Sequence, residues 1–143
     1  MSLTGTYDPQ NIFAKIIRGE IPAVKVYEDD HILSFMDVFP QSEGHTLVIP
    51  KFEARNLLDI APDALQNLII KTQTVAQAVN KALKPDGIRI AQFNGEPAGQ
   101  TVFHIHFHII PAYDSQSDAP HASGQMADTD RLKALAERIR AEL

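Results

Sequence analysis

The chain has 143 residues, 44% of them apolar and 22% charged, a length and balance suited to one domain around one hydrophobic core. Its formal net charge is −5 with no run of lysine or arginine, which argues against a nucleic-acid polymer as partner, since such binding rests on neutralising phosphates. It contains no cysteine, which excludes disulfides, thiolate metal sites and a cysteine nucleophile.

The opening "MSLTGTYDPQ" lacks the basic start and apolar core of a signal peptide, and residues 1–10 are expected to form a flexible tail. No apolar stretch approaches the ~20 residues that span a bilayer. The expected location is therefore the cytoplasm, without a membrane partner. "NIFAKIIRGEIP" sets Ile12, Phe13, Ile16 and Ile17 at helical spacing, with Asn11 as N-cap and Gly19 and Pro22 as stops. "AVKVYED" and "HILSFMDV" read as two strands joined by the acidic turn Glu28-Asp29-Asp30, and "GHTLVIP" (44–50) as a third.

The clearest helix is 62–84. Pro62 suits its first position, and Leu65, Leu68, Ile69, Val75, Ala76, Val79 and Leu83 form its apolar stripe. Lys81 and Lys84 complement the helix dipole, and Pro85 and Gly87 end it. Strands are expected at 87–94 and 102–110, then a polar loop at 112–129 and an amphipathic helix at 129–142. No repeat or linker divides residues 1–143. Helices and strands are segregated, so the expected class is α+β: an antiparallel sheet of about five strands with a long, a short N-terminal and a C-terminal helix.

Half of the six histidines fall in "HIHFHIIP" (104–111). On a strand, His104, His106 and His108 share one face at intervals of about 7 Å, while Phe103, Ile105, Phe107 and Ile109 take the other and can pack on the long helix. Three readings fit the histidine face: a solvated surface, a metal site closed by a further ligand such as His45, or chemistry on a phosphorus centre. The strand alone does not choose among them. Upstream, "NGEPAGQTV" forms a tight glycine loop able to offer backbone N–H groups, the Gln100 amide and the Thr101 hydroxyl to anionic oxygens.

The chain resembles the histidine triad (HIT) family, whose signature is His-x-His-x-His followed by two apolar residues. The likeness runs from "NIFAKIIRGEIPA" through "ILSFMDVFPQSEGHTLVIPK" to "NGEPAGQTVFHIHFHIIP", and is nearest the Hint-like branch and its bacterial relatives. It implies the HIT-like fold, a homodimer and a hydrolase or nucleotidyl transferase that cleaves purine nucleoside phosphoramidates through a nucleotidyl-histidine intermediate. The alternatives are a dinucleoside polyphosphate hydrolase and a nucleotide-binding regulatory module.

By position, the resemblance makes His106 the nucleophile. It makes His104, with His45, the relay that holds the tautomer of His106, and it sets His108 against the α-phosphate. Asn94, Gly99, Gln100, Thr101 and the N–H of Val102 would line the phosphate site, and Asp37 would hold the ribose hydroxyls. Ile12, Phe13, Ile16, Phe35 and Val38 would form the base slot. Plainer roles stand beside these: Asp37 as a strand cap, the five apolar residues as core, His45 as a satisfied buried histidine. His31 and His121 read as surface residues, and no serine has a base at a telling spacing.

Two departures from the family pattern stand out. Asn11 and Ala14 occupy the positions where many bacterial relatives carry a Cys-x-x-Cys zinc site, so no metal is expected. "IIPA" departs from the pattern after the histidines and bears on leaving-group preference. No cofactor is expected.

Overall fold

The computed structural model describes residues 2–114 and 126–143. In chain order these form α1 (Ile12–Ile17), β1 (Lys25–Glu28), β2 (Ile32–Met36), β3 (Thr46–Pro50), α2 (Pro62–Leu83), β4 (Gly87–Ala91), a 3₁₀ turn (Glu96–Ala98), β5 (Phe107–Ala112) and α3 (Thr129–Arg140). The strands make one antiparallel sheet in the order β1-β2-β3-β5-β4, the α+β architecture expected from the sequence. Most of the expected 112–129 loop, and His121 with it, lies outside the described residues.

Both faces of the central strands are covered, so every residue of β2 and β3 is buried. One face carries Ile32, Met36 and Val48 into the main core with Leu68, Val75 and Val79 of α2 and Leu132, Leu135 and Ile139 of α3. The other turns Leu33, Phe35, Leu47 and Ile49 toward Phe13 and Ile16 of α1. Each such side chain contributes about 1.5–3 kcal/mol by leaving water. In α1 the side chain of Asn11 accepts the N–H of Ala14 at 2.9 Å, the expected cap.

Three expectations change. Ile69 is 44% exposed. The buried column of α2 continues instead through Thr72, whose hydroxyl is satisfied by the Leu68 carbonyl at 2.8 Å. The first ten residues were expected to be loose, yet residues 2–10 are tied down. Arg55 donates to the carbonyls of Ser2 and Thr6, Asn56 to that of Leu3, and Arg18 to that of Pro9.

The last strand was expected from residue 102 but begins at Phe107. Imidazoles take the carbonyls that a longer ladder would need: His104 Nε2 lies 2.8 Å from the Pro50 oxygen, and His106 Nδ1 lies 2.7 Å from the His104 oxygen. Pro50 also has no N–H to give. His104 and His106 therefore precede the strand, and only His108 lies on it.

The β2–β3 connection is fixed to β5, where Ser42 donates to the Pro111 carbonyl at 2.5 Å and Tyr113 to the Glu43 carbonyl at 2.9 Å. Gly44, at φ +93°, closes this connection, and a Cβ there would run into the side chain of Leu83. Gly44→Ala is expected to cost about 1–3 kcal/mol through overpacking and backbone strain. Urea denaturation followed by circular dichroism measures it, and an unchanged midpoint would contradict this account of the loop.

Candidate active site

Backbone groups decide where the imidazole protons sit. The His104 carbonyl faces Nδ1 of His106, so that nitrogen carries the proton and Nε2 keeps its lone pair. The Pro50 carbonyl likewise takes the Nε2 proton of His104, whose Nδ1 lies 2.6 Å from the hydroxyl of Tyr7. On the other side, the N–H of Gln41 donates to Nδ1 of His45 at 3.0 Å. His45 must then carry its proton on Nε2, which lies 2.9 Å from Nδ1 of His108. His108 in turn holds its proton on Nε2. Each of the four rings is left with one tautomer.

This overturns the expected pairing of His45 with His104. Both nitrogens of His104 are occupied elsewhere, and His45 meets His108 instead. His106 is held by the main chain of His104, not by its ring. The rings of His106 and His108 lie 4.9 Å apart, Phe13 meets His106 edge-on at 4.9 Å, and Phe93 lies 5.4 Å from His108.

Asp37 follows β2 and stands beside His45. One carboxylate oxygen accepts the N–H of Phe39 at 2.8 Å, and the other lies 3.4 Å from Nε2 of His45. The expected base slot divides in two. Phe13, Ile16 and Phe35 are buried in the second core cluster, whereas Ile12 and Val38 are exposed.

The expected phosphate loop is held from within. Gln100 is buried, accepts the N–H of Gly95 at 2.8 Å, and donates to the carbonyls of Arg55 at 2.6 Å and Val102 at 3.0 Å. Its amide is therefore a strut between main-chain segments and does not line an anion site. Asn94 is used similarly, accepting from Leu57 N–H and from Gln92. Gly99 ends the 3₁₀ turn at φ +111° with its N–H on the Glu96 carbonyl, and the ring of Phe93 lies beneath it. Thr101 is exposed, and Val102 packs on the second cluster.

Residues 18–115 match the HIT domain profile. The chain belongs to the HIT domain family. It is 38% identical, over its whole length and 89% of the relative's, to adenosine 5′-monophosphoramidase HNT1 of Saccharomyces cerevisiae. A HIT-like protein from Bartonella henselae, crystallised with an unknown ligand, is 48% identical and superposes with a TM-score of 0.91 over 97% of this chain and all of that one. A zinc-bound histidine triad family protein from Mycobacterium smegmatis is 34% identical, with a TM-score of 0.81 over 93% of this chain and 92% of that one.

Asp37, His45 and His108 of this HIT chain offer ligand atoms within 4.8 Å of one another. The donor set nevertheless fits a metal poorly. Gln41 N–H fills the Nδ1 lone pair of His45, so a metal on Nε2 would require an imidazolate. The three side chains are matched as donor and acceptor instead. The sequence reading missed Tyr7, the Gln41 N–H and the Pro50 carbonyl. Two of these are main-chain groups without any residue signature, and Tyr7 is 97 positions from His104.

Burial sets the electrostatics of the HIT motif. It pushes His45 down to about 3, aided by the nearby His108 and His106 rings and Arg89. It takes His104 down to about 4, opposed by the Pro50 carbonyl, and His108 to about 4, aided by His106. His106 is also lowered by burial, against the pull of the His104 carbonyl. Burial raises Asp37 to about 6, opposed by the Phe39 N–H. At neutral pH all four imidazoles are uncharged, so His45 and Asp37 form no ion pair.

Unfolded, His45, His104 and His108 bind protons near pH 6.5, whereas folded they do not until about pH 4 or below, and His106 shifts in the same direction. The unfolded chain thus binds more protons across that window, and stability falls as pH drops through it. Asp37 acts oppositely between 3.8 and about 6, but is one group against several. The melting temperature is expected to fall steadily from pH 7 to pH 4.5 in calorimetry. A flat or rising profile would refute neutral burial of the set.

Proposed function

We propose that the chain is a hydrolase of purine nucleoside phosphoramidates working through a nucleotidyl-histidine intermediate on His106. The reading rests chiefly on one bond, from Nδ1–H of His106 to the carbonyl of His104, which leaves Nε2 with a lone pair. That lone pair persists at neutral pH because burial lowers the basicity of the ring. The yeast relative is an adenosine 5′-monophosphoramidase, which supports the substrate class.

In the proposed sequence Nε2 of His106 attacks the α-phosphorus, the phosphorus–nitrogen bond breaks, and the amine departs after taking a proton from solvent, relayed by a bridging water. Water then adds to phosphorus, its proton passes to solvent, and His106 leaves with its lone pair restored. The products are the nucleoside 5′-monophosphate and the free amine. His108 presents its Nε2–H to the phosphoryl oxygens, where charge grows in the transition state; a donor so placed is worth on the order of 10²–10³ in rate. The histidines supply nucleophile and donor, so no step is assigned to a metal or cofactor. His106→Ala is expected to lower turnover of adenosine phosphoramidate by at least on the order of 10⁴. AMP affinity should change by less than about tenfold. Near wild-type turnover in this variant would end the assignment of His106.

We assign Asp37 to the ribose hydroxyls, since at neutral pH its carboxylate is ionised and half-buried next to the histidines. A 2′-deoxy substrate is expected to bind more weakly by roughly 1–3 kcal/mol, and Asp37→Ala to erase that difference. Calorimetric titration with AMP and dAMP measures both. Equal affinity of the wild type for the two nucleotides would sink the role.

The proposal extends to a cytoplasmic homodimer. At the β1 edge of the sheet Arg140 of α3 donates to the Lys25 carbonyl at 2.5 Å. Among the described residues the β4 edge pairs with β5 alone, and beside it Ile69, Ile70 and Ile90 are 44%, 56% and 47% exposed. An open sheet edge flanked by exposed isoleucines suits a second copy of the chain.

A further inference from the structure

We propose that Tyr7 is a positioning residue for the nucleophile, fixing the ring of His104 so that the His104 carbonyl stays aimed at Nδ1 of His106. The inference builds on the reading of His106 as nucleophile. The Tyr7 hydroxyl lies 2.6 Å from Nδ1 of His104, and the two rings meet edge-on with centroids 5.6 Å apart. Because the Pro50 carbonyl takes the Nε2 proton, Nδ1 of His104 can only accept, and Tyr7 donates. Burial raises the phenol above its ordinary range, so the hydroxyl keeps the proton it gives.

The His104 ring is 1% exposed and is held at both nitrogens, by residues 97 and 54 positions away. Neither nitrogen is left for a substrate. The ring therefore serves as an anchor for its own main chain, which carries the acceptor for His106. Without the Tyr7 hydroxyl, a buried lone pair loses its partner, and the ring can turn over or exchange tautomers. Either change loosens the His104 side of that peptide unit, whose far side is held by the Ile105 N–H on the Ala54 carbonyl at 2.9 Å.

Tyr7 is held for this task by the docked N-terminal segment. Arg55 and Asn56 bind the carbonyls of Ser2, Leu3 and Thr6, and Arg55 also offers its own carbonyl to Gln100 of the loop that leads to the histidines. The charged groups around the phenol are Asp8 on its own segment, Arg18 after α1, and Lys51 and Glu53 after β3.

The test is Tyr7→Phe, which keeps the aromatic packing and removes only the hydroxyl. Nitrogen NMR of histidine-labelled protein, recorded without substrate, should show His104 Nδ1 moving to the shift of an unbonded lone pair. His106 should lose its single Nδ1–H form. In the same variant kcat should fall by about tenfold with KM within about twofold, the scale of one neutral hydrogen bond. A ring that merely filled space would leave both spectra and the kcat-to-KM split unchanged. Unaltered His104 and His106 resonances would overturn the proposal, as would full kcat despite altered spectra. If wild type turned over no phosphoramidate, the reading of the reaction would fail, while the His106 spectrum would still decide whether Tyr7 positions that ring.

Discussion

A buried imidazole must give its one proton to one neighbour and take a proton from another, and every such choice in this site traces back to a main-chain group. The His104 carbonyl settles His106, the Pro50 carbonyl settles His104, and the Gln41 N–H settles His45 and, through it, His108. The choices carry weight because burial holds the rings neutral. A charged imidazolium has two donors and would leave the Gln41 N–H facing another proton. Desolvation and hydrogen-bond polarity thus enforce each other, and the site has one low-energy arrangement of protons.

The fold serves that arrangement by bringing distant segments to one place. β5 enters between β3 and β4, so residues 101–106 must pass over the end of β3, where Pro50 offers a carbonyl without an N–H. The β2–β3 connection, fixed to β5 by Ser42 and Tyr113, delivers Gln41, His45 and Asp37 from the other side. Gln100 and Asn94 hold the loop between β4 and the histidines by bonds to main chain. None of these supports depends on an exposed ion pair, which would contribute little.

The sequence reading recovered what periodicity and punctuation encode. The long helix, bounded by Pro62 and by Lys84 at φ 50°, the Asn11 cap and the hairpin around Asp29 leave strong local marks. So does the motif His104-Ile105-His106-Phe107-His108, which locates the site. Alternation alone, however, led to a strand face for all three histidines, because a pattern of residue types does not reveal which carbonyls a side chain will capture. The docked N-terminal segment was illegible for a related reason. Polar composition resembles that of a loose end, and only the fold shows that Arg55 and Asn56 wait for its carbonyls. The pairing of His45 was misjudged because the resemblance supplied which residues matter, but not which of two imidazoles each would meet.

The donor on His45 is the peptide N–H of residue 41, and every amino acid except proline carries that group. The side chain at this position therefore takes no part in the bond, and any residue but proline can supply the donor. What residue 41 supplies is a bond direction in space, set by the glycine turn and the strands on either side. A comparison of letters would rate such a position as unconstrained. The chemistry it governs would be lost to one replacement alone, the one that strikes out the hydrogen.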